Sequence, residues 1–236
     1  MNQVFAMHRK LFYYSVVLWA MTLGAGPQVR ADSAPPPGIL VAEFANLPRL
    51  TSTRHHKTAD PINVGLVGSK DEIITAMQQA GWFVPVPITL KSSAGIVGSV
   101  ALRRAYFTAP VSTLYYQGRS QDLAFEKEVG RSALRRHHVR FWKLRDDGPG
   151  GRALWIGAAT FDKGVGFSHR SGAVTHHIDA NVDQERGFLM DELRQTSQVT
   201  ATYTVPAQGP TKGRNGGGDV WTSDGDMLVG VIAPAR

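Results

Sequence analysis

Cysteine is absent from the 236 residues. That excludes disulfides and thiolate metal sites, so the fold must be held by an ordinary core or by partners. No apolar run is long enough to span a bilayer, which takes about 20 residues; the run from Leu11 to Ala25 holds about 15. Two catalytic signatures are also missing. There is no His-Glu-x-x-His pair of a zinc protease and no Gly-x-Ser-x-Gly nucleophile elbow. The charge is not strongly of one sign: 26 Lys and Arg against 19 Asp and Glu give a formal net charge of +7. No nucleic-acid partner is expected from so moderate a balance.

What is present begins with an export signal. His8-Arg9-Lys10 precedes the apolar run, Gly24, Gly26 and Pro27 break it, and Val29-Arg30-Ala31 offers a cleavage site. This order of a positive region, a short apolar region and a small-residue site predicts a secretory signal over residues 1–31 and a secreted or periplasmic protein. An uncleaved membrane anchor is the alternative. Loss of Arg9, Lys10 and Arg30 lowers the formal charge from +7 to +4 and leaves 205 residues, enough for one domain with a single core.

Residues 32–57 read as a Pro-rich and basic linker, with Ser33-Ala34-Pro35-Pro36-Pro37 and then Arg54-His55-His56-Lys57. A single domain is expected over 58–236. It opens as a β-α-β unit: a strand over 62–68, a helix over 70–80 and an extended start at Trp82-Phe83-Val84. Ser69 with Glu72 forms a capping box, and Gly81 gives a C-terminal stop. A second helix is predicted over 93–106. Strands follow over 113–117, 136–144, 152–162 and 174–178, a helix over 183–195, and closing strands over 199–205 and 227–232. Asp146 to Gly151 is a turn that makes a hairpin of 136–144 and 152–162. The Gly-rich stretch 209–218 is expected as a flexible loop. The fold class is α+β, a mostly antiparallel mixed sheet with helices packed on one face.

Two clusters carry chemistry. On a strand, Arg136, His138, Arg140 and Trp142 share one face, with His137, Val139 and Phe141 on the other. Two guanidiniums, an imidazole and an indole suit an anion, although the same face could be a solvated one with Arg stems over Trp142. The second cluster is Thr175-His176-His177-Ile178-Asp179, followed by Asp183 and Arg186. Here His177 and Asp179 share a face and His176 points away. A metal would need ligands brought from elsewhere, His137 or His138 being the natural ones, and the candidate set is His137, His177 and Asp179. The alternative has Asp179 or Asp183 capping the following helix.

Several stretches together resemble the C-terminal domain of LssY-like proteins. They are Asp60-Pro61-Ile62-Asn63-Val64 with Val67-Gly68-Ser69, Gly118-Arg119-Ser120-Gln121-Asp122-Leu123, Arg136 to Trp142, and Thr175 to Asp179 with Asp183 and Arg186. The resemblance runs from about residue 58 to 200. It implies a bacterial domain of unassigned function, whose longer members join it to integral-membrane segments, some resembling lipid-phosphate phosphatases; that association points by analogy to an envelope role. It brings no catalytic residues with it.

The expected function is therefore an exported envelope protein whose His/Arg/Asp cleft binds a phosphate-bearing small molecule or lipid headgroup, with phosphoester hydrolysis as the reaction if it is an enzyme. In this reading Arg136 and Arg140 hold the anion, with Trp142, Asp122 and Arg186 among the ligand-binding residues. His138 or His177 acts as acid or base, oriented by Asp179 or Asp122. The strand 136–142 must converge with 175–179, and a pairing of His137 with His177 is the fallback. A non-catalytic module docking on a membrane protein is the alternative, and a His/Asp metal-dependent enzyme the third reading. The sequence names no cofactor.

Overall fold

Two strands of fourteen residues each form the spine: β7 (Ser132–Arg145) and β8 (Leu154–Phe167). The predicted turn joins them, with Gly150 and Gly151 both at positive φ, 71° and 70°, where glycine carries no penalty. The register then pairs Arg136 with Asp162, His138 with Thr160 and Trp142 with Ile156. Alternation sorts the side chains into two faces. Val139, Phe141, Trp155 and Ala159 join one core, and Trp142, Leu154, Ile156 and Ala158 the other.

The computed structural model describes residues 37–85, 113–130, 132–170, 172, 174–206 and 209–234. The signal over 1–31 and the helix expected over 93–106 lie outside the described residues. The remaining elements are α1 (Pro37–Phe44), β1 (Leu50–Ser52), β2 (Thr58–Pro61), β3 (Val64–Val67), α2 (Lys70–Gln79), β4 (Tyr115–Tyr116), β5 (Arg119–Ser120), β6 (Leu123–Val129), β9 (Val174–Ile178), α3 (Val182–Gln195), β10 (Val199–Val205), β11 (Lys212–Arg214), β12 (Val220–Thr222) and β13 (Met227–Ile232). A short 3-10 turn spans Pro149–Gly151.

The main sheet runs β10-β13-β3-β8-β7-β6, with β9 paired to the far end of β8. Among the described strands of this sheet, only β13 and β3 run parallel. A smaller sheet has the order β2-β1-β4-β5, and β11 with β12 forms a separate hairpin. The α+β class follows, with a mixed and mostly antiparallel sheet. Helices α2 and α3 pack on the same core, through Ile73, Ala76 and Met77 from one and Leu189, Met190 and Leu193 from the other. Helix α1 lies with the opposite core, where Phe44 packs near Val205 and Val229.

The capping box on α2 is present: Ser69 Oγ accepts from Glu72 N, and Glu72 Oε2 accepts from Ser69 N. The β-α-β opening is only partly realised. After α2 the chain crosses the sheet, and Phe83 makes a single antiparallel bridge to Glu126 of β6 rather than a strand beside β3. Two other expectations are corrected. Ordered structure begins before residue 58, because α1 and β1 lie within the supposed linker. The Gly-rich stretch carries β11 and the turn into β12, since Asn215 fixes that turn through Asp219.

Candidate functional site

The face of β7 that carries Trp142 turns polar away from the hairpin turn. Arg140, His138 and Arg136 follow in sequence, beside Thr160 and Asp162 of β8, Glu126 of β6 and Asp60 of β2. All seven are buried. Arg136 Nη1 donates to Glu126 Oε2 at 3.1 Å, and its Nε lies 3.6 Å from Asp162 Oδ2. His138 Nε2 is 2.8 Å from the same Asp162 oxygen, and Arg140 Nη1 donates to Asp60 Oδ2 at 3.4 Å.

His176 of β9 completes this network. Arg136 Nη2 lies 3.1 Å from His176 Nε2, and arginine can only donate, so the imidazole proton belongs on Nδ1. That atom is 3.2 Å from Asp162 Oδ2. Burial pushes the pKa values of His138 and His176 down and that of Asp60 up. Burial also raises Glu126 to about 7, against the pull of Arg136. Burial alone would raise Asp162 too, but His138, His176 and Arg136 together hold it below the ordinary carboxylate range.

The grouping of Arg136, His138, Arg140 and Trp142 on one face is as the alternation indicates, but its role is corrected. These guanidiniums do not look outward to an anion. Three buried carboxylates compensate them, because an unpaired charge inside a sheet would cost several kcal/mol. Trp142 is fully buried, meets the Tyr116 ring at a tilt of 49° and donates from Nε1 to Arg119 O at 3.1 Å.

His177 belongs to a different site. Its neighbour His176 turns to the network, so strand alternation sends His177 the other way. There Nδ1 meets Asp219 Oδ1 at 2.7 Å, and His169 Nε2 lies 3.5 Å from the same oxygen. Asp219 is buried and stands at the end of the β11–β12 turn. Its Oδ2 accepts from Ile178 N at 3.1 Å and Asn215 Nδ2 at 3.2 Å, so the carboxylate is fixed with Oδ1 toward the histidines. An open cleft of about 460 Å³ is lined by these three residues with Lys163, Arg214 and Val220. A β-bulge between Asp162 and Gly164 re-aims Lys163 to this wall. Four of the lining side chains are cationic or can become so, and one is a carboxylate. The lining therefore carries more potential cations than anions, with an imidazole oriented by a carboxylate inside it. His169, His177 and Asp219 are also a set that can hold a metal ion.

The other expected residues are dispersed. His137 sits on the opposite face of β7, with Nδ1 2.7 Å from Glu185 Oε2 and its ring stacked on Phe188 at 3.9 Å. It pairs with neither His177 nor a shared metal partner. Asp179 lines a separate pocket with His137, Glu185 and Phe188, and its Oδ1 accepts from Asn181 N; Asn181, not Asp179 or Asp183, caps α3. Asp122 forms an exposed bidentate pair with Arg119 and accepts from Lys143 N. Arg186 is held by Asp224 and Asp183. Neither reaches the cleft. Asp162 was legible, because a hairpin centred on the 146–151 turn places 162 opposite 136. His169 and Asp219 left no such signal, since they meet only through contacts between two separate turns.

The profile of the family described as LssY C-terminus matches residues 44–227. No curated protein and no solved structure matches the chain.

Proposed function

The chain belongs to the LssY C-terminus family, and we propose that it is an exported envelope protein that binds a phosphate-bearing anion in the cleft beside His177. The observation that carries this reading is the hydrogen bond between His177 and Asp219 at the wall of an open cleft that also holds Lys163, Arg214 and His169. Charge-assisted hydrogen bonds from such groups suit phosphate oxygens. Arg136 and Arg140 act indirectly. Arg136 locks β6, β7, β8 and His176 of β9 together and so fixes the strand that presents His177, while Arg140 ties β7 to Asp60 of β2.

The same cleft can serve hydrolysis of a phosphoester. His177, oriented by Asp219, accepts a proton from the water attacking phosphorus and returns it to the departing oxygen. The phosphate can belong to a soluble molecule or a lipid. Calorimetric titration of the full chain with inorganic phosphate, and sedimentation with vesicles containing phosphatidic acid, separate the two sources. Lys163→Ala with Arg214→Ala is expected to lower phosphate affinity by about tenfold or more. Unchanged affinity in that variant contradicts the assignment.

A second reading, docking on a membrane protein without catalysis, has one observation in its favour. Phe167 is 71% exposed and Val220, on the rim of the cleft, 49%. It requires that Phe167→Ser, outside the cleft lining, abolish co-sedimentation with a membrane-protein fraction while leaving phosphate binding intact.

A further inference from the structure

The cleft contains an arrangement that general acid–base chemistry does not need. Two imidazole nitrogens and one carboxylate oxygen come from three places in the chain: His169 from the turn after β8, His177 from β9, and Asp219 from the turn before β12. Their ligand atoms all lie within 4.8 Å of one another. We propose that His169 Nε2, His177 Nδ1 and Asp219 Oδ1 bind one divalent transition-metal ion, with zinc the best match. The inference rests on the reading of this cleft as the anion site and adds the group that would meet the anion; with the ion bound, His177 serves as a ligand and not as the proton acceptor, because an imidazole held through Nδ1 carries its proton on Nε2.

Four features support it. The first is spacing. Ligands at about 2.0–2.1 Å from a tetrahedral zinc stand about 3.3 Å apart. The His169–Asp219 separation is 3.5 Å, and the His177–Asp219 separation of 2.7 Å has to open by only about half an ångström. In the metal-free protein a proton occupies that gap; the ion takes its place.

The second is the support behind the ligands. The second oxygen of Asp219 is held by Ile178 N and Asn215 Nδ2, and its backbone N–H donates to Asn215 Oδ1 at 2.8 Å. Such outer contacts orient a carboxylate toward a metal. The two turns are also tied to each other, by Ser168 Oγ donating to Gly217 O at 2.9 Å.

The third is the close approach of those turns. Gly218 has φ +95°, and a Cβ there would lie 3.0 Å from both His169 Cβ and Arg170 Cγ. Only glycine allows the Asp219 turn to come this near His169.

The fourth is chemistry. Two imidazoles and a carboxylate are a ligand set for zinc or non-heme iron. Three protein ligands leave a coordination position facing the cleft, where Lys163 and Arg214 stand ready for the remaining oxygens of an anion.

The test is zinc binding to the full chain, stripped with chelator and titrated calorimetrically in phosphate-free buffer. One ion per chain is expected. His169→Ala should abolish stoichiometric binding, and it cannot be dismissed as unfolding because the His169 side chain is 62% exposed. Asn215→Ala should weaken binding by about 10–100-fold as an outer-contact variant. His55→Ala with His56→Ala, on an exposed turn, should leave binding unchanged. Wild-type affinity in His169→Ala, or failure of the parent chain to take up zinc stoichiometrically, overturns the proposal. Lys163→Ala, which leaves the Arg214 contact to the Asp219 turn in place, separates the two claims: it should keep zinc and weaken phosphate binding. Phosphate binding without zinc binding removes the metal alone, and zinc binding without phosphate binding removes the anion reading alone.

Discussion

His177 Nδ1 and Asp219 Oδ1 meet at 2.7 Å although 42 positions separate them in the chain. Two consequences of β geometry bring them together. Alternation gives His176 to the buried network and leaves His177 for the cleft, and the β11–β12 turn folds back so that Asp219 also accepts from the backbone of Ile178. The strand that carries His177 is anchored on one side by ionic contacts and open on the other.

Gly166 tests how closely that histidine is positioned. A Cβ at this residue would lie 2.5 Å from His177 Nε2. Gly166→Ala is therefore expected to displace the ring and weaken phosphate binding, while changing the thermal midpoint little because Gly166 is near the end of β8 and half-buried. Calorimetric titration beside a thermal melt checks both. Wild-type affinity in this variant would mean that His177 is free to move aside.

The network has a pH signature through Glu126. Burial raises its carboxyl from the ordinary 4.5 to about 7, so the folded chain holds a proton that the unfolded chain has released above 4.5. The stabilising contribution is complete below that value and is lost as pH rises through 7. At about 1.4 kcal/mol per pKa unit the difference is about 3 kcal/mol. Glu126→Gln resembles the protonated form and is expected to flatten the decline in stability between pH 5 and 8, measured by urea unfolding. A decline as steep as in the parent chain counts against the buried carboxyl.

His138 works with the opposite sign. Burial lowers its pKa below the ordinary 6.5, so the unfolded chain takes up a proton first as pH falls. Stability conferred by the neutral ring is present above 6.5 and is lost below it. His138→Gln, which cannot titrate, is expected to reduce the slope of stability against pH between 6.5 and 5. Urea midpoints at four or five pH values show whether it does.

Arg136 binds the network together. Replacing it with Ala leaves Glu126 and Asp162 buried without their shared cation, which costs about 3–5 kcal/mol. Arg136→Lys should recover little, since one ammonium cannot reach Glu126, Asp162 and His176 as the fork does. Denaturant unfolding distinguishes this structural role from a ligand-binding one: the loss should appear equally with and without phosphate.

Much of the frame was legible in the sequence. The capping box at Ser69, the hairpin turn at 146–151 and the shared face of Arg136, His138, Arg140 and Trp142 all follow from local rules. What those rules do not contain is which side of a strand is covered. Burial of Arg136 depends on Glu126, and its strand β6 was not recognised; burial of Arg140 depends on Asp60 arriving from the smaller sheet. The His/Asp pairing was anticipated for His177, but with Asp179, its neighbour on the strand. Asp179 is occupied instead in holding Asn181 N ahead of α3, and the partner comes from a Gly-rich stretch that reads as a loop.

Export makes a separate expectation. Cleavage after Ala31 should give a mature protein beginning at Asp32, recovered from the periplasm or medium. N-terminal sequencing of the fractionated protein checks this, and an intact Met1 terminus in the membrane fraction favours the anchor.

On the proposed function, phosphate enters the cleft beside His177 and not the buried network. Histidine ring nitrogens, observed by 15N-resolved magnetic resonance during titration with inorganic phosphate, test it most directly. The expected result is movement of the His169 and His177 signals with saturation, while His138 and His176 stay in place. Movement confined to His138 and His176, or no movement at any of the four, would contradict the account.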